Sequence, residues 1–276
     1  MFTDIQVVFD KSSSMETFGN STRDQMFNLL QDQIKLAEEN QQKINISFTG
    51  FNENANVYID NKPVLDLKEV NKNNFTTWVR PDGLTRLYDT IIECVDAQNK
   101  RVNEYNQNMQ PMVGELTPTL NKILYVITDG YDNQSTNKTK DVHSAITDAR
   151  KSGTVCILLA ANQDAIQLAM VCGFDEKIAL TIGSDPHTTE LAMGFTNTLV
   201  RAISSGSSRT DSLEFSDVQR SASQNTDTYR LFSPLVRHTN TMDPLEDYDS
   251  DQSDTETILP PPPPPPQGMF DTIKRL

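Results

Sequence analysis

Two short segments, residues 123–128 (ILYVIT) and 155–160 (VCILLA), are apolar on both faces, and they constrain the fold more than any other feature of the sequence. A strand of this kind is buried on both sides, which is typical of a parallel sheet covered by helices. Stretches with helical periodicity alternate with these and with other short apolar runs. The pattern therefore predicts an α/β domain with a doubly wound, mostly parallel sheet.

The sheet is predicted to have six strands, one of them an antiparallel edge strand. Strands 44–51 and 56–59 are separated by only four residues, which is too few for a crossover helix, so they form a hairpin. Residues 106–121 contain two prolines and a glycine and are predicted as a long loop. We expect strands at 5–9, 44–51, 56–59, 123–128, 155–160 and 177–182, and helices at 23–40, 85–105, 140–151, 164–171 and 188–203.

The composition changes after residue 206. Residues 243–256 contain seven acidic side chains and no basic one, and seven consecutive prolines follow at 260–266. Such a segment buries too little apolar surface to offset the entropy of ordering. We predict a folded domain at 1–206 and a largely disordered, acidic and proline-rich tail at 207–276. Within that tail, one short helix begins at Ser216, which caps it, and Phe215 packs back on the domain.

Charge and cysteine content exclude several classes of function. The net charge of −14 disfavours binding to nucleic acid or to an anionic membrane surface. The N-terminus has no basic leader, and no apolar stretch approaches the length of a membrane span. The three cysteines lie inside apolar patterns and indicate buried free thiols in a reducing compartment. These features predict a cytoplasmic protein.

Five oxygen-bearing side chains lie where predicted strands end or helices begin. The carboxyl ends of parallel strands meet at one edge of a sheet, where open α/β sheets bind their ligands. Oxygen ligands suit a hard cation such as Mg²⁺, and no Cys or His is nearby to favour a softer metal. The five are Asp10, Ser12 and Ser14 in DKSSS after the first strand, Thr85 at the opening of a helix in GLTRLYD, and Asp129 after the fourth strand in ITDGYDN.

The spacing within these motifs suits one shared site. Ser12 and Ser14 are two residues apart in what is predicted to be an extended loop, so their hydroxyls point the same way. Gly83 and Gly130 stand where the backbone turns tightly or approaches closely. Asp132 and Asn133, just beyond Asp129, are predicted to be turn residues.

The same segments resemble those of a known family. DKSSS is similar to the D-x-S-x-S motif of von Willebrand factor A domains, GLTRLYD resembles their G-x-T-x-L-Y-D segment, and ITDGYDN is similar to their T-D-G segment. The resemblance covers the order and spacing of these motifs and the strand pattern over about residues 3–205. It implies a Rossmann-like fold with a metal-ion-dependent adhesion site. In that site Ser12, Ser14 and Thr85 bind the metal directly, and Asp10 and Asp129 bind it mainly through water.

The function that this resemblance implies is non-enzymatic. A Mg²⁺ ion, with Mn²⁺ or Ca²⁺ as alternatives, binds an acidic residue of a protein partner. If the hydroxyls bind directly and the carboxylates through water, the ion stays under-neutralised and an incoming carboxylate completes its shell. The sequence departs from the family at Ser13, where many members have glycine. A small residue there should not block the metal, although it restricts the backbone of the loop.

Two other functions stay open on the sequence. Asp10 follows a first strand, as does the nucleophile of haloacid-dehalogenase-like phosphatases, but position 12 is a serine instead of the carboxylate that serves as general acid. The chain also contains neither a G-x-S-x-G elbow nor a phosphate-binding G-x-x-x-x-G-K-[ST] loop. The second alternative is a scaffold in which the metal is purely structural.

Other features have an ordinary interpretation and a sharper one. Phe75, Trp78 and Tyr88 flank the Thr85 loop. They are predicted to pack in the core, although they could line a partner-binding rim. The acidic cluster around Asp247 is a solvated tail, or it supplies a carboxylate to the metal site of its own or a neighbouring chain. The prolines at 260–266 are a spacer or a ligand for a polyproline-binding protein.

Overall fold

The sheet of this protein has the predicted architecture. A computed structural model describes residues 1–108, 119–161, 165–183, 185–207 and 213–224. The described residues contain six strands, which form one sheet in the order β3-β2-β1-β4-β5-β6; β2 and β3 are antiparallel and the other neighbours are parallel. The strands are β1 (Phe2–Asp10), β2 (Lys43–Phe51), β3 (Ala55–Pro63), β4 (Leu120–Thr128), β5 (Thr154–Ala161) and β6 (Ala179–Ile182).

Helices cover both faces of the sheet. They are α1 (Ser21–Asn40), α2 (Lys72–Trp78), α3 (Leu87–Asn108), α4 (Thr139–Lys151), α5 (Ala165–Cys172), α6 (Pro186–Ser205) and α7 (Asp217–Ser223). Along β4, Ile123, Tyr125 and Ile127 face a core shared with α1, α2 and α6, whereas Leu124 and Val126 face a second core shared with α3, α4 and α5. Because alternate residues of a strand point to opposite faces, a strand between two cores is apolar throughout.

A buried polar contact fixes α3 against the central strand β1. Arg101 on α3 donates from Nε to Asp4 Oδ2 at 3.2 Å and from Nη2 to Gln6 Oε1 at 2.9 Å. Gln98, one turn earlier, donates from Nε2 to the Asp4 carbonyl at 3.2 Å. Asp4 is 1% exposed, so loss of the Arg101 guanidinium would leave an uncompensated buried charge and destabilise the fold. The polar residues of β1 therefore position a helix instead of facing solvent.

Among the described α-helices, α2 is the one that the sequence does not predict, because KNNFTTW has no apolar period. Its start is fixed locally by a capping box between Asn71 and Asn74. Phe75 is buried in the first core and Trp78 packs partly buried beside it. Tyr88 is partly buried and packs against the second core, the one shared with α3, α4 and α5. The predicted core packing of these aromatic side chains is confirmed.

Some predicted boundaries are wrong by a few residues. The loop predicted at 106–121 is shorter at both ends, because α3 continues to Asn108 and β4 begins at Leu120. Most of the residues between them lie outside the described part of the chain, as does the helix start predicted at 164. Lys177, predicted to open the last strand, lies in a short 3₁₀ turn that precedes β6.

The cysteines are confirmed as buried free thiols. Cys94, Cys156 and Cys172 make no disulfide and are shielded from solvent. Burial raises the pKa of Cys94 to about 11 and the pKa values of Cys156 and Cys172 to about 12. Thiols with such pKa values stay protonated and unreactive at neutral pH.

No helix within the described ranges combines the length and the apolarity that crossing a membrane requires.

Residues 213–224 fold onto the free edge of β6. Phe215 N donates to the Lys177 carbonyl at 2.9 Å at one end of β6, and Gly183 N donates to the Ser223 carbonyl at 2.8 Å at the other. Between them, Arg220 Nη1 donates to the Ala179 carbonyl at 2.7 Å. The segment therefore satisfies backbone groups along an edge that would otherwise be open to pairing with another chain.

This segment confirms the short helix predicted after the domain. Ser216 caps α7 through a capping box with Gln219, and Phe215 is 5% exposed in the first core. Residues 213–224, which lie beyond the predicted boundary at 206, thus pack on the sheet. The acidic cluster at 243–256 and the prolines at 260–266 lie outside the described residues, so the tail stays a prediction.

The packing of Phe215 yields a stability prediction. We expect Phe215→Ala to lower the free energy of unfolding by about 3 kcal/mol, because it leaves a cavity and loosens the cover of β6. Val218→Ala is the matched control, since Val218 lies on the same helix but is 78% exposed, and its effect should stay within about 0.5 kcal/mol. Urea denaturation of both variants measures the difference. If Phe215→Ala and Val218→Ala had equal free energies of unfolding, the packing of Phe215 would contribute nothing to stability.

Candidate metal centre

The loops after β1 and β4 join at the carboxyl edge of the sheet through a chain of hydrogen bonds. Asp10, the last residue of β1, accepts from Thr128 Oγ1 at the end of β4 at 2.6 Å. Ser12 Oγ and Ser14 Oγ are 3.1 Å apart. Ser14 Oγ in turn donates to Asp129 Oδ1 at 2.8 Å. Asp10, Ser12, Ser14 and Asp129 are therefore brought together, although 115 residues separate Ser14 from Asp129.

The loop that carries the serines is not extended, contrary to the prediction. Ser12 is the N-cap of a 3₁₀ helix, Ser13–Phe18, and the Ser12 backbone N donates to Asp10 Oδ1 at 2.8 Å. The two hydroxyls meet because this turn is tight. Ser13 is exposed, and its φ does not lie in the left-handed region, so the serine at this position causes no backbone strain.

Thr85 lies two residues before α3 and does not open the helix as predicted. The Thr85 backbone is fixed instead by Asn133, whose Oδ1 accepts from Thr85 N at 2.9 Å and whose N donates to the Thr85 carbonyl at 3.0 Å. Asn133 is thus more than the turn residue that the sequence predicts, because it joins the Thr85 loop to the loop after β4. Gly83 permits the turn before Thr85 with a φ of +75°.

Gly130 brings Thr85 to the other site residues. A Cβ added at Gly130 would lie 3.3 Å from Thr85 Oγ1 and 3.7 Å from Ser14 Oγ. Any side chain at position 130 would therefore occupy the space beside these two hydroxyls. Glycine leaves that space open, as predicted for a close approach of the backbone.

Asp89 is a supporting residue to which the sequence analysis assigns no role. Its buried carboxylate accepts from Thr136 N at 3.0 Å, from Asn137 N at 2.9 Å and from Arg86 Nε at 3.1 Å. Burial alone would raise the pKa of Asp89, but these hydrogen bonds and the Arg86 charge outweigh it and lower the pKa. Asp89 holds the loop after β4 against α3. Its only sequence signal is its place in GLTRLYD, because its partners apart from Arg86 lie in residues 136–137, far along the chain.

The electrostatics of the site call for a cation. Burial raises the pKa of Asp10. Burial and the nearby charge of Asp10 raise the pKa of Asp129 to about 6. Asp129 is 5% exposed, and its Oδ2 has no hydrogen-bond partner among the described residues. A buried carboxylate oxygen without a donor, next to a second carboxylate, is costly unless a positive charge compensates it.

The residues present fit a hard divalent cation. The donor set is three hydroxyls and two carboxylates, all oxygen, which is the chemistry that Mg²⁺, Mn²⁺ and Ca²⁺ prefer. Nowhere in the described ranges do three or more His, Cys, Asp or Glu side chains cluster as a metal site, so a soft-metal or carboxylate-rich centre finds no support there. The arrangement can hold a cation and leave it accessible on the side of Ser14, which is exposed.

Comparison with known proteins shows the fold and nothing finer. No protein-family model matches the chain, and no curated protein is significantly similar to its sequence. The pilus adhesin SpaC from Lactobacillus rhamnosus GG in its open conformation matches at 12% identity and a TM-score of 0.52, over 72% of this chain and 30% of SpaC. At this identity the likeness shows that the two share a fold.

Two further solved structures are similar at lower TM-scores. A von Willebrand factor type A protein from Catenulispora acidiphila matches at 14% identity and a TM-score of 0.45, over 74% of this chain and 43% of that one. Proximal thread matrix protein 1 from the mussel byssus, in a structure with a zinc-occupied MIDAS motif, matches at 17% identity and a TM-score of 0.46. The match covers 72% of this chain and 46% of that protein. The present chain spans less than half the length of each of these three proteins.

The contacts of Asp89 predict a pH-dependent contribution to stability. We expect Asp89→Asn to lower the free energy of unfolding at neutral pH by about 2–4 kcal/mol, because the Arg86 partner and charged hydrogen bonds are lost. Since folding lowers the pKa of Asp89, the wild-type advantage is complete above its unfolded value, about 4, and disappears as pH falls below that.

Urea denaturation at neutral pH and at progressively lower pH measures this difference. The control is Asp96→Asn, an exposed acid on the same helix that makes no ion pair among the described residues. A difference between wild type and Asp89→Asn that does not shrink in acid would rule out the assigned cause.

Proposed function

We propose that the folded part of this chain is a von Willebrand factor A-type domain that binds Mg²⁺ at its carboxyl-edge site and, through the ion, an acidic residue of a partner protein. The observation that carries the proposal is the buried Asp129 Oδ2, which has no donor within the described part of the chain and lies near Asp10 and the site hydroxyls. A cation would compensate both carboxylates. The neutral hydroxyls leave it enough charge to attract a further carboxylate.

The hydrogen bonds of the site support the division of roles implied by the resemblance. Both oxygens of Asp10 already accept hydrogen bonds, from Ser12 N and from Thr128 Oγ1. Asp10 is thus suited to fix the loop and to reach the cation through water. Ser12, Ser14 and Thr85 offer hydroxyls for direct contact. Bound Mg²⁺ would supply a localised positive charge at the open side of the site.

The charge of the protein makes its capture of an acidic partner depend on the metal. The chain carries a net charge of −14, and none of the five site residues is basic. An acidic partner is repelled close to the surface, where salt screens least, and the metal would be the local attraction that overcomes this repulsion. Capture without a divalent ion is therefore not expected.

The environment of Asp10 opposes the enzymatic alternative. A phosphoryl-accepting carboxylate needs an exposed oxygen aligned with the phosphorus atom. Asp10 is 0% exposed and both its oxygens are engaged in hydrogen bonds.

Ser14, by contrast, is exposed at the site, which favours contact with a partner over a purely structural metal. We therefore expect no catalytic activity.

Affinity capture with the full-length chain tests the function. We expect Asp129→Ala, or EDTA in place of Mg²⁺, to reduce the amount of a retained partner at least about tenfold, because either change removes the cation. Asp60→Ala, which removes an exposed acid on β3, should retain the partner. The thermal midpoint of Asp129→Ala checks that the variant is folded. We expect it to stay close to that of the wild type, because the substitution also removes the repulsion between Asp129 and Asp10.

Two outcomes would contradict this function. Capture that persists in EDTA would exclude a role for the metal in partner binding. Hydrolysis of a phosphate ester that Asp10→Ala abolishes would instead establish the phosphohydrolase alternative.

The open space at Gly130 gives an independent prediction for the metal alone. We expect Gly130→Ala to weaken Mn²⁺ binding about tenfold, because the added Cβ displaces the Thr85 hydroxyl. Gly194→Ala is the matched control, since a Cβ at Gly194 meets nothing within 4 Å, and its metal affinity should equal that of the wild type. Isothermal titration calorimetry measures both. Unchanged affinity in Gly130→Ala would show that the cation does not bind beside Thr85.

A further inference from the structure

A cavity of about 610 Å³ opens at the amino edge of the sheet, at the opposite ends of the strands from the candidate metal centre. It lies where α4 ends and β5 begins, beside the 3₁₀ turn that precedes β6. Its volume is in the usual range for a small-molecule site, roughly 300–1,000 Å³. Its lining, called the amino-edge cavity below, includes three basic residues and one acidic residue, Arg150, Lys151, Lys177 and Asp175.

The charges that line the amino-edge cavity leave an excess of positive charge. Arg150 Nη2 donates to Asp175 Oδ2 at 3.0 Å, so these two charges compensate each other. Lys151 pairs with Asp148 at 3.3 Å, but the two side chains are 72% and 68% exposed, where an ion pair contributes little. Lys177 forms no ion pair within the described ranges. An anion in the cavity therefore meets two lysines that no buried acid neutralises.

A buried lysine next to the cavity also lacks a carboxylate partner. Lys122 on β4 is 8% exposed and neighbours Thr154 in the register of the sheet. Its Nζ donates to the Ser152 carbonyl at 2.6 Å and to Ser152 Oγ at 2.9 Å, and it forms no ion pair with any described residue. Thr154 lines the cavity, and its buried Oγ1 has no hydrogen-bond partner in the described part of the chain. An uncompensated positive charge and an unpaired hydroxyl both favour an anion that accepts hydrogen bonds.

The end of α4 does not by itself account for this group of basic residues. Basic side chains in the last turn of a helix often interact with its last carbonyls. Here Ser152 Oγ donates to the Ala149 carbonyl at 2.7 Å, and Gly153 N donates to the Arg150 carbonyl at 2.9 Å. Lys177 belongs to the 3₁₀ turn before β6 and lines the same cavity. The positive charge therefore converges from two separate elements.

We propose that the amino-edge cavity is a second binding site, which takes an organic phosphate. The phosphate group lies against Lys151 and Lys177, whose ammonium groups are compact charges with three donors each. The apolar body of the ligand packs on the apolar residues of the lining, which are Val155, Ile178 and Leu213. Leu213 belongs to the segment that covers β6, so the cavity is complete only with that segment in place. The site needs no metal, because it lies at the other edge of the sheet.

NMR titration of the isotope-labelled, full-length chain tests this site, with EDTA present so that no divalent ion takes part. The probes are phenyl phosphate, inorganic phosphate and phenol. We expect phenyl phosphate to shift the amide signals of Gly153 and Thr154, which line the cavity. It should bind about tenfold more tightly than inorganic phosphate, because its ring packs on the apolar lining. Phenol, which has no phosphate group, should leave these signals in place.

Substitutions of single lysines show whether the cavity itself attracts the phosphate. Lys151→Gln and Lys177→Gln should each weaken the binding of phenyl phosphate about fivefold, because each removes one positive charge beside the phosphate. Lys140→Gln is the matched control. It removes the same charge from an exposed position at the other end of α4, and it should bind phenyl phosphate as the wild type does.

Four outcomes would overturn the proposal. The first is that phenyl phosphate shifts neither Gly153 nor Thr154. The second is that Lys140→Gln weakens binding as much as Lys177→Gln, because the attraction would then come from overall charge. The third is that phenol binds as tightly as phenyl phosphate, and the fourth is that inorganic phosphate does. None of them affects the proposed metal-dependent function, because EDTA removes the ion throughout.

Discussion

The site depends on the burial of the Asp10 carboxylate at the end of the central strand. This carboxylate holds the 3₁₀ turn through the Ser12 backbone N and ties β1 to β4 through Thr128 Oγ1. The same burial raises the pKa of Asp10, and the charge of Asp10 adds to the raised pKa of Asp129. Hydrogen bonds stabilise two carboxylates in this position, and a counter-charge would stabilise their ionised forms further.

One helix, α3, keeps this arrangement rigid from both ends of the sheet. Near its start, Asp89 holds the loop that follows Asp129. Three turns later, Arg101 pairs with buried Asp4 near the amino end of β1. The strand that ends in Asp10 and the loop that follows Asp129 are thus both bonded to the same rigid element. The hydroxyls and carboxylates of the site therefore keep their positions without a partner, which favours preorganised binding.

The sequence predicts the features that leave a local pattern, and it misses those that depend on contacts between residues far apart in the chain. Strands such as β4 are predictable because both cores impose apolar side chains on them. The convergence of the candidate site residues is predictable because strands in a parallel sheet end at one edge. Helix α2 is missed because a local capping box, not an apolar period, defines it. The roles of Asp89 and Arg220 are missed because most of their partners are backbone groups distant in the chain, which leave no pattern in the sequence.

The donor set favours the proposed capture of an acidic partner through the metal over simple storage of the metal. More carboxylates would bind the cation more tightly, but they would neutralise the charge that a partner carboxylate requires. Three hydroxyls with two buried carboxylates balance these demands. The chain has a net charge of −14, and physiological salt screens its repulsion of an acidic partner beyond about one Debye length, roughly 8 Å, so the repulsion acts mainly close to the surface. In the proposed function, the contact between the cation and a partner carboxylate would have to overcome this repulsion at short range.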